Sequence, residues 1–195
     1  MRFVALGDSY TIGTAVTEAE RWPNQLVRRL PGLELVGNPA VNGYTSADLI
    51  AEELPQLDGL RPELASVLVG ANDVVQGVPD SQYAGNVSLI LEELLTRLPP
   101  TRIFGVATPD YSLTPAGVGF GDPALASDSV VRLNAILREA CEGRRIAFVP
   151  DVFEISQRVV DDPSLVADDG LHPSGPQYAA WVEAILPVVK RLLEE

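Results

Sequence analysis

A serine directly behind a short apolar run, a single histidine far along the chain and an aspartate just before it are the residues best suited to chemistry. Gly7-Asp8-Ser9-Tyr10 follows the apolar residues 3–6, and Asp168-Asp169-Gly170-Leu171-His172-Pro173-Ser174 holds the histidine. Acyl transfer needs a nucleophile, a base to take its proton, a group that orients the base, and donors aimed at the oxyanion of the tetrahedral intermediate. Ser9 offers the hydroxyl, and His172, the only histidine, is the only imidazole base. Neutral imidazole is the working form, so a rate that depends on it falls as acid protonates the ring. Asp169, in a loop tightened by Gly170, is close enough in sequence to accept the imidazole N–H and fix its tautomer. Asp168 beside it is a second candidate. The Asn72 side-chain amide, in Gly70-Ala71-Asn72-Asp73, and the backbone N–H groups of Gly43 and Ser9 are candidate oxyanion donors.

These residues need a scaffold that brings distant parts of the chain to one place. Short apolar runs bounded by Gly, Pro, Asn or Asp recur at 3–6, 33–36, 66–69, 103–106 and 146–149, each reading as a buried strand. Between and after them, residues 23–30, 46–54, 81–98, 127–141 and 174–193 carry helical spacing, with Ser174 as a helix cap and Pro176 in the first turn. Strands apolar on both faces and joined through helices imply a parallel sheet covered on both sides. The expectation is an α/β chain of class α/β/α: a three-layer sandwich on a five-stranded parallel sheet, flavodoxin-like, with residues 1–195 as one domain. In such sheets ligands bind beyond the carboxyl ends of the strands, where Ser9, Gly43, Asn72 and His172 all fall. The irregular stretch 108–126 is long enough to be a functional lid or a mobile excursion.

Gly7-Asp8-Ser9, Gly43, Gly70-Ala71-Asn72-Asp73 and Asp169-Gly170-Leu171-His172 resemble, in order and spacing, the four sequence blocks of the SGNH hydrolases, the superfamily of the GDSL esterases and lipases. The resemblance runs from residue 7 to residue 174. It implies a flavodoxin-like fold, Ser9 as nucleophile, Asp169 and His172 completing the triad, and an oxyanion hole from the Ser9 N–H, the Gly43 N–H and the Asn72 side chain, with no cofactor and no metal. The spacing of the family pattern favours Asp169 over Asp168. Tyr10 stands where the GDSL name has leucine and Ala71 where glycine is frequent, departures that bear on substrate and not on mechanism.

Composition narrows the classes further. The 195 residues carry 14 Lys and Arg against 27 Asp and Glu, a formal net charge of −13, with 46% hydrophobic residues. That is a globular composition, and its acidity works against nucleic-acid backbones and anionic lipid surfaces. No run approaches the ~20 apolar residues of a membrane span, and the run 3–6 is too short for a leader core, so a cytoplasmic protein without stable membrane association is expected. Cys141, the only cysteine, makes no internal disulfide and reads as a buried apolar residue.

Two other readings compete with ester hydrolysis. Asp8, Asp73 and Asp169 lie after three strands and could hold Mg²⁺ for phosphoryl transfer, or the chain could be an inactive binding module on the same fold. Asp8 and Asp73 equally suit loop bracing through backbone N–H groups. On the hydrolase reading, all three carboxylates fall at the rim of the site. Gly117-Val118-Gly119-Phe120-Gly121 follows no strand and lacks a P-loop lysine, and Asn86-Val87-Ser88 falls inside an expected helix, so neither reads as a functional motif. Tyr10, Val74, Tyr111 and Phe120 are the candidate substrate-binding residues, although Tyr10 could as easily pack under its loop. Their mixed, weakly charged character favours a small-molecule neutral ester or thioester, with lysophospholipids and acetylated carbohydrates also open. Nothing in the sequence sets an oligomeric state.

Overall fold

In the computed structural model, which describes residues 1–194, five strands lie in the order β2-β1-β3-β4-β5, every neighbouring pair parallel. They are β1 (Arg2–Gly7), β2 (Glu34–Gly37), β3 (Leu64–Leu68), β4 (Ile103–Val106) and β5 (Ala147–Val149). The helices are α1 (Ser9–Ile12), α2 (Trp22–Arg29), α3 (Ser46–Asp48), α4 (Leu57–Leu60), α5 (Ala71–Val75), α6 (Asp80–Leu95), α7 (Pro123–Glu142), α8 (Asp151–Gln157) and α9 (Gly175–Glu194).

Alternation along each strand divides the core between the two sheet faces. Phe3 and Ala5 of β1 pack with Trp22 and Leu26 of α2, Val152 and Ile155 of α8, and Tyr178, Trp181 and Ile185 of α9. Val4 and Leu6, on the opposite face, pack with Tyr83, Val87 and Ile90 of α6 and Leu133, Leu137 and Cys141 of α7. Strands buried on both sides have no polar face, which is why they read as unbroken apolar runs. Each fully buried Val, Leu, Ile or Phe contributes roughly 1.5–3 kcal/mol. The three-layer α/β/α sandwich is as expected.

Three local expectations need correction. Residues 46–54 do not form one helix: α3 gives way to a wide π-helical turn at Leu49–Glu53, then a 3₁₀ turn at Leu54–Gln56 and α4. Pro55 has no N–H to continue an α-helical ladder, so the chain changes pitch there. The long irregular stretch is shorter than expected, because Asp122 caps the Ala124 and Leu125 N–H groups and starts α7 at Pro123. What remains is pinned rather than loose. Asn134 of α7 accepts the Thr108 N–H at 2.7 Å and donates to the Thr108 carbonyl at 2.9 Å. Buried Asp110 accepts from the hydroxyls of Ser112 and Ser127, each at 2.6 Å. Finally, Ser174 stands at the start of α9 with its carbonyl accepting the Tyr178 N–H at 3.0 Å, but its hydroxyl, which donates to the Ser164 carbonyl at 2.8 Å, accepts no N–H of the helix.

Candidate active site

Strand β1 ends at Gly7, and the chain turns at once into the short helix α1. Gly7 has φ +154°, and a Cβ there would lie 2.2 Å from the Leu68 carbonyl oxygen, so only glycine lets β1 pass this close to β3. Asp8 then caps α1, its Oδ1 accepting the Tyr10 N–H at 3.0 Å. Ser9 is therefore the first residue of α1, where a backbone N–H has no partner within the helix.

His172 and Asp169 sit together in a loop after α8, closed by a bridge between Val166 and Pro173. The Ala167 N–H donates to the His172 carbonyl at 2.8 Å, and Gly170, with φ +73°, supplies the left-handed turn between them. Asp169 Oδ2 lies 2.6 Å from His172 Nδ1, while its Oδ1 accepts the N–H groups of Leu171 and His172, each at 3.0 Å. Partial burial alone would raise the Asp169 pKa, but the His172 ring and these two N–H groups pull it below the usual carboxylate range. The occupied Nδ1 leaves Nε2 as the nitrogen free to take a proton. The imidazole is buried against Tyr10, ring centroids 5.4 Å apart, which brings it beside the residue that follows Ser9.

Two of the candidate oxyanion donors, Asn72 and Gly43, lie on segments that are tied together. Asn72, in the first turn of α5, donates through Nδ2 to the Tyr44 carbonyl at 2.9 Å, tying α5 to the loop that carries Gly43. One of its two amide hydrogens is thereby used and the other stays available. Beneath this loop, buried Asp73 accepts the Ser46 N–H at 2.9 Å and the Ser46 hydroxyl, and Asn86 donates to that hydroxyl at 2.9 Å. The sequence expectation that Asp8 and Asp73 brace loops fits these bonds. The expectation that they contribute to an acidic rim does not, since both are 0% exposed. Asp8, Asp73 and Asp169 each serve a different loop, and among the described residues no group of three His, Cys, Asp or Glu side chains is arranged around a metal position.

Of the four candidate substrate residues, three come together. Val74, Tyr111 and Phe120 line one cavity of about 170 Å³ with Asp122, Leu125 and Ala126. The Tyr111 and Phe120 rings meet edge to face at 6.0 Å. Tyr10 is the correction: only 4% exposed, it is wedged between His172 and Trp181 and packs under the site.

Sequence reasoning missed Glu53. It is fully buried, and its Oε2 accepts the Gly7 N–H at 3.0 Å. Burial pushes its pKa up to about 8, with the charge of Asp8 adding to the effect. Burial likewise lifts Asp8 to about 7, against the pull of the Tyr10 N–H and with help from Asp73. The adjacent pair Glu52-Glu53 gives no sign in sequence that one carboxyl turns inward.

The chain matches the GDSL-like lipase/acylhydrolase family over residues 5–180. It belongs to that family. An arylesterase from Vibrio mimicus is 25% identical over 185 residues, spanning 93% of this GDSL-family chain and 84% of the relative. Among solved structures, a lipolytic G-D-S-L family protein from Veillonella parvula superposes with a TM-score of 0.79 at 16% identity, covering 98% of this chain and 99% of that one. TesA gives 0.77 at 20% identity, covering 98% and 99%. The acetylxylan esterase Axe2 from Geobacillus stearothermophilus gives 0.75 at 18% identity, covering 96% and 93%. The GDSL-family chain shares their fold, and its family and its arylesterase relative make it a carboxylic ester hydrolase.

Proposed function

We propose that this hydrolase works through an acyl-enzyme on Ser9, with His172 as general base and Asp169 as the group that orients it. The Ser9 hydroxyl oxygen adds to the ester carbonyl carbon while its proton passes to Nε2 of His172. The carbonyl electron pair moves onto oxygen, and the oxyanion is met by the N–H groups of Ser9 and Gly43 and the free amide hydrogen of Asn72. Collapse expels the alcohol or thiol, which takes the proton from the imidazolium and leaves acyl-Ser9. Water, deprotonated by the same imidazole, then releases the acid and restores the serine. A positioned base contributes ~10²–10⁴-fold and each oxyanion donor ~10²–10³-fold, so the sequence needs no cofactor.

The observation that carries this reading is the 2.6 Å contact of Asp169 with His172 in a chain that has one histidine. The cavity lined by Val74, Tyr111 and Phe120 suits a short acyl or an aryl group, in keeping with an arylesterase and an acetylxylan esterase among the proteins it resembles. Neutral esters of that size are the proposed substrates. A chromogenic acetate ester should be turned over, a fluorophosphonate should add covalently to Ser9, and Ser9→Ala or His172→Ala should abolish turnover. An active enzyme that takes no label, or a Ser9→Ala variant with undiminished rate, overturns the proposal.

A further inference from the structure

We infer that Glu53 is a positioning residue for the nucleophile: as a neutral carboxylic acid it holds the Gly7-Asp8-Ser9 turn through the Gly7 N–H and keeps a second negative charge away from the oxyanion. This rests on Ser9 being the nucleophile.

The geometry comes from the wide helical turn. The Leu54 N–H reaches back to the Leu49 carbonyl, a five-residue step that swings Glu53 toward the end of β1 instead of solvent. Its bond to the Gly7 N–H joins positions 46 residues apart. The held segment is closely packed at Gly7, where a Cβ would lie 2.2 Å from the Leu68 carbonyl oxygen and 2.5 Å from Thr11 Oγ1. Ser9, two residues on, inherits that placement for both its hydroxyl and its N–H.

The charge argument is independent of the hydrogen bond. Glu53 Oε1 and Asp8 Oδ2 are both buried and both without a hydrogen-bond partner. Two ionised carboxyls so placed would be desolvated, unpaired and mutually repulsive, so one retains its proton. The charged group facing Glu53 is Asp8, at the end of β1; Asp8 in turn feels Asp73 of α5, and the Tyr83 hydroxyl of α6 feels both aspartates. Among the described residues no cation offsets them at Glu53. Asp8 caps the first turn of α1 and is met by the Tyr10 N–H and its own N–H, which favours its anion, whereas Glu53 has the Gly7 N–H alone; burial raises both, and Glu53 is the proton holder.

The test uses Glu53→Gln and Glu53→Ala in the full chain, read by ester turnover across pH, by fluorophosphonate labelling and by melting curves. Glutamine keeps a carbonyl oxygen for the Gly7 N–H and stays neutral, so kcat should remain within about threefold of the parent at pH 7. Alanine should lower kcat on the order of 10- to 100-fold with KM nearly unchanged, the signature of a misplaced nucleophile. The parent should lose kcat above about pH 8, and Glu53→Gln should not. A Glu53→Ala variant with parental kcat overturns the inference, as does a glutamine variant that is as slow as alanine or keeps the alkaline decline. If Glu53→Ala fails to fold, the pH profile of Glu53→Gln decides alone. Failure of Ser9 labelling in the active parent removes the nucleophile assignment instead, whatever the Glu53 variants do.

Discussion

Asp169 lies against His172 and Glu53 against the turn that precedes Ser9, and their surroundings drive these two carboxyl groups in opposite directions. Asp169 sits in a partly open loop with two backbone N–H donors and an imidazole against it, which favours its anion. Glu53 lies under the β1 turn with one backbone N–H and another buried acid near it, which favours its proton. The first arrangement supplies a charge that can stabilise an imidazolium. The second supplies rigidity without adding charge. Donor count and solvent access, more than residue type, therefore decide which acid is held as the anion and which keeps its proton.

The largest expected effect comes from removing the charge on the open side. Asp169→Asn keeps the shape but presents the wrong hydrogen-bonding partner to Nδ1, so kcat should fall on the order of 10³- to 10⁴-fold with the melting temperature little changed. Steady-state kinetics beside a melting curve checks this, and a loss below tenfold would erase the functional side of the contrast.

Stability should respond to pH with opposite slopes in the two regions. Glu53 and Asp8 are held at about 8 and about 7, above ordinary values of 4.5 and 3.8, so between those limits the folded chain keeps protons that the unfolded chain releases. Stability then falls as pH rises from about 4.5 to about 8, by about 1.4 kcal/mol per pH unit for each retained proton. Asp169 works the other way: its folded pKa is lowered, so its contribution is present above pH 3.8 and is lost as pH falls through the lower folded value. Urea midpoints from pH 5 to 8 should show a shallower slope for Glu53→Gln than for the parent. Equal slopes would mean that Glu53 ionises freely.

A smaller effect tests the brace next door. Ser46→Ala removes one of two donors to buried Asp73 and should cost about 1–3 kcal/mol in chemical denaturation, with a several-fold loss of kcat as the Gly43 loop loosens. A variant as stable as the parent would show that Asp73 finds another partner.

The sheet and the Asp169–His172 contact were legible because both are written locally. A strand buried on two faces is an apolar run, and Asp169 reaches His172 over three residues, a distance that loop geometry alone controls. Tyr10 was ambiguous because its place is set by Trp181, which lies far along the chain on α9. Ser174 was read as a cap because serine before a helix commonly is one, and its bond to the Ser164 carbonyl belongs to the closure of a loop that the pattern does not display. Glu53 was hidden most completely. In a regular helix it would fall beside Glu52 as ordinary polar surface, and only the change of pitch before Pro55 turns it to the Gly7 N–H.

The bridge between Val166 and Pro173 closes Asp169 and His172 into one small loop, held to the rest of the fold by Tyr10 against the imidazole, by the Ala116 N–H to Gly170 carbonyl bond and by Gln177 to the Leu165 carbonyl. Warming that frees this loop would carry Asp169 and His172 away as an intact couple, leaving Ser9 in place but without the proton acceptor proposed for it. Inactivation would then begin below the temperature at which the sheet melts and would reverse on cooling, and amide exchange at residues 166–173 would quicken in step with the loss of turnover.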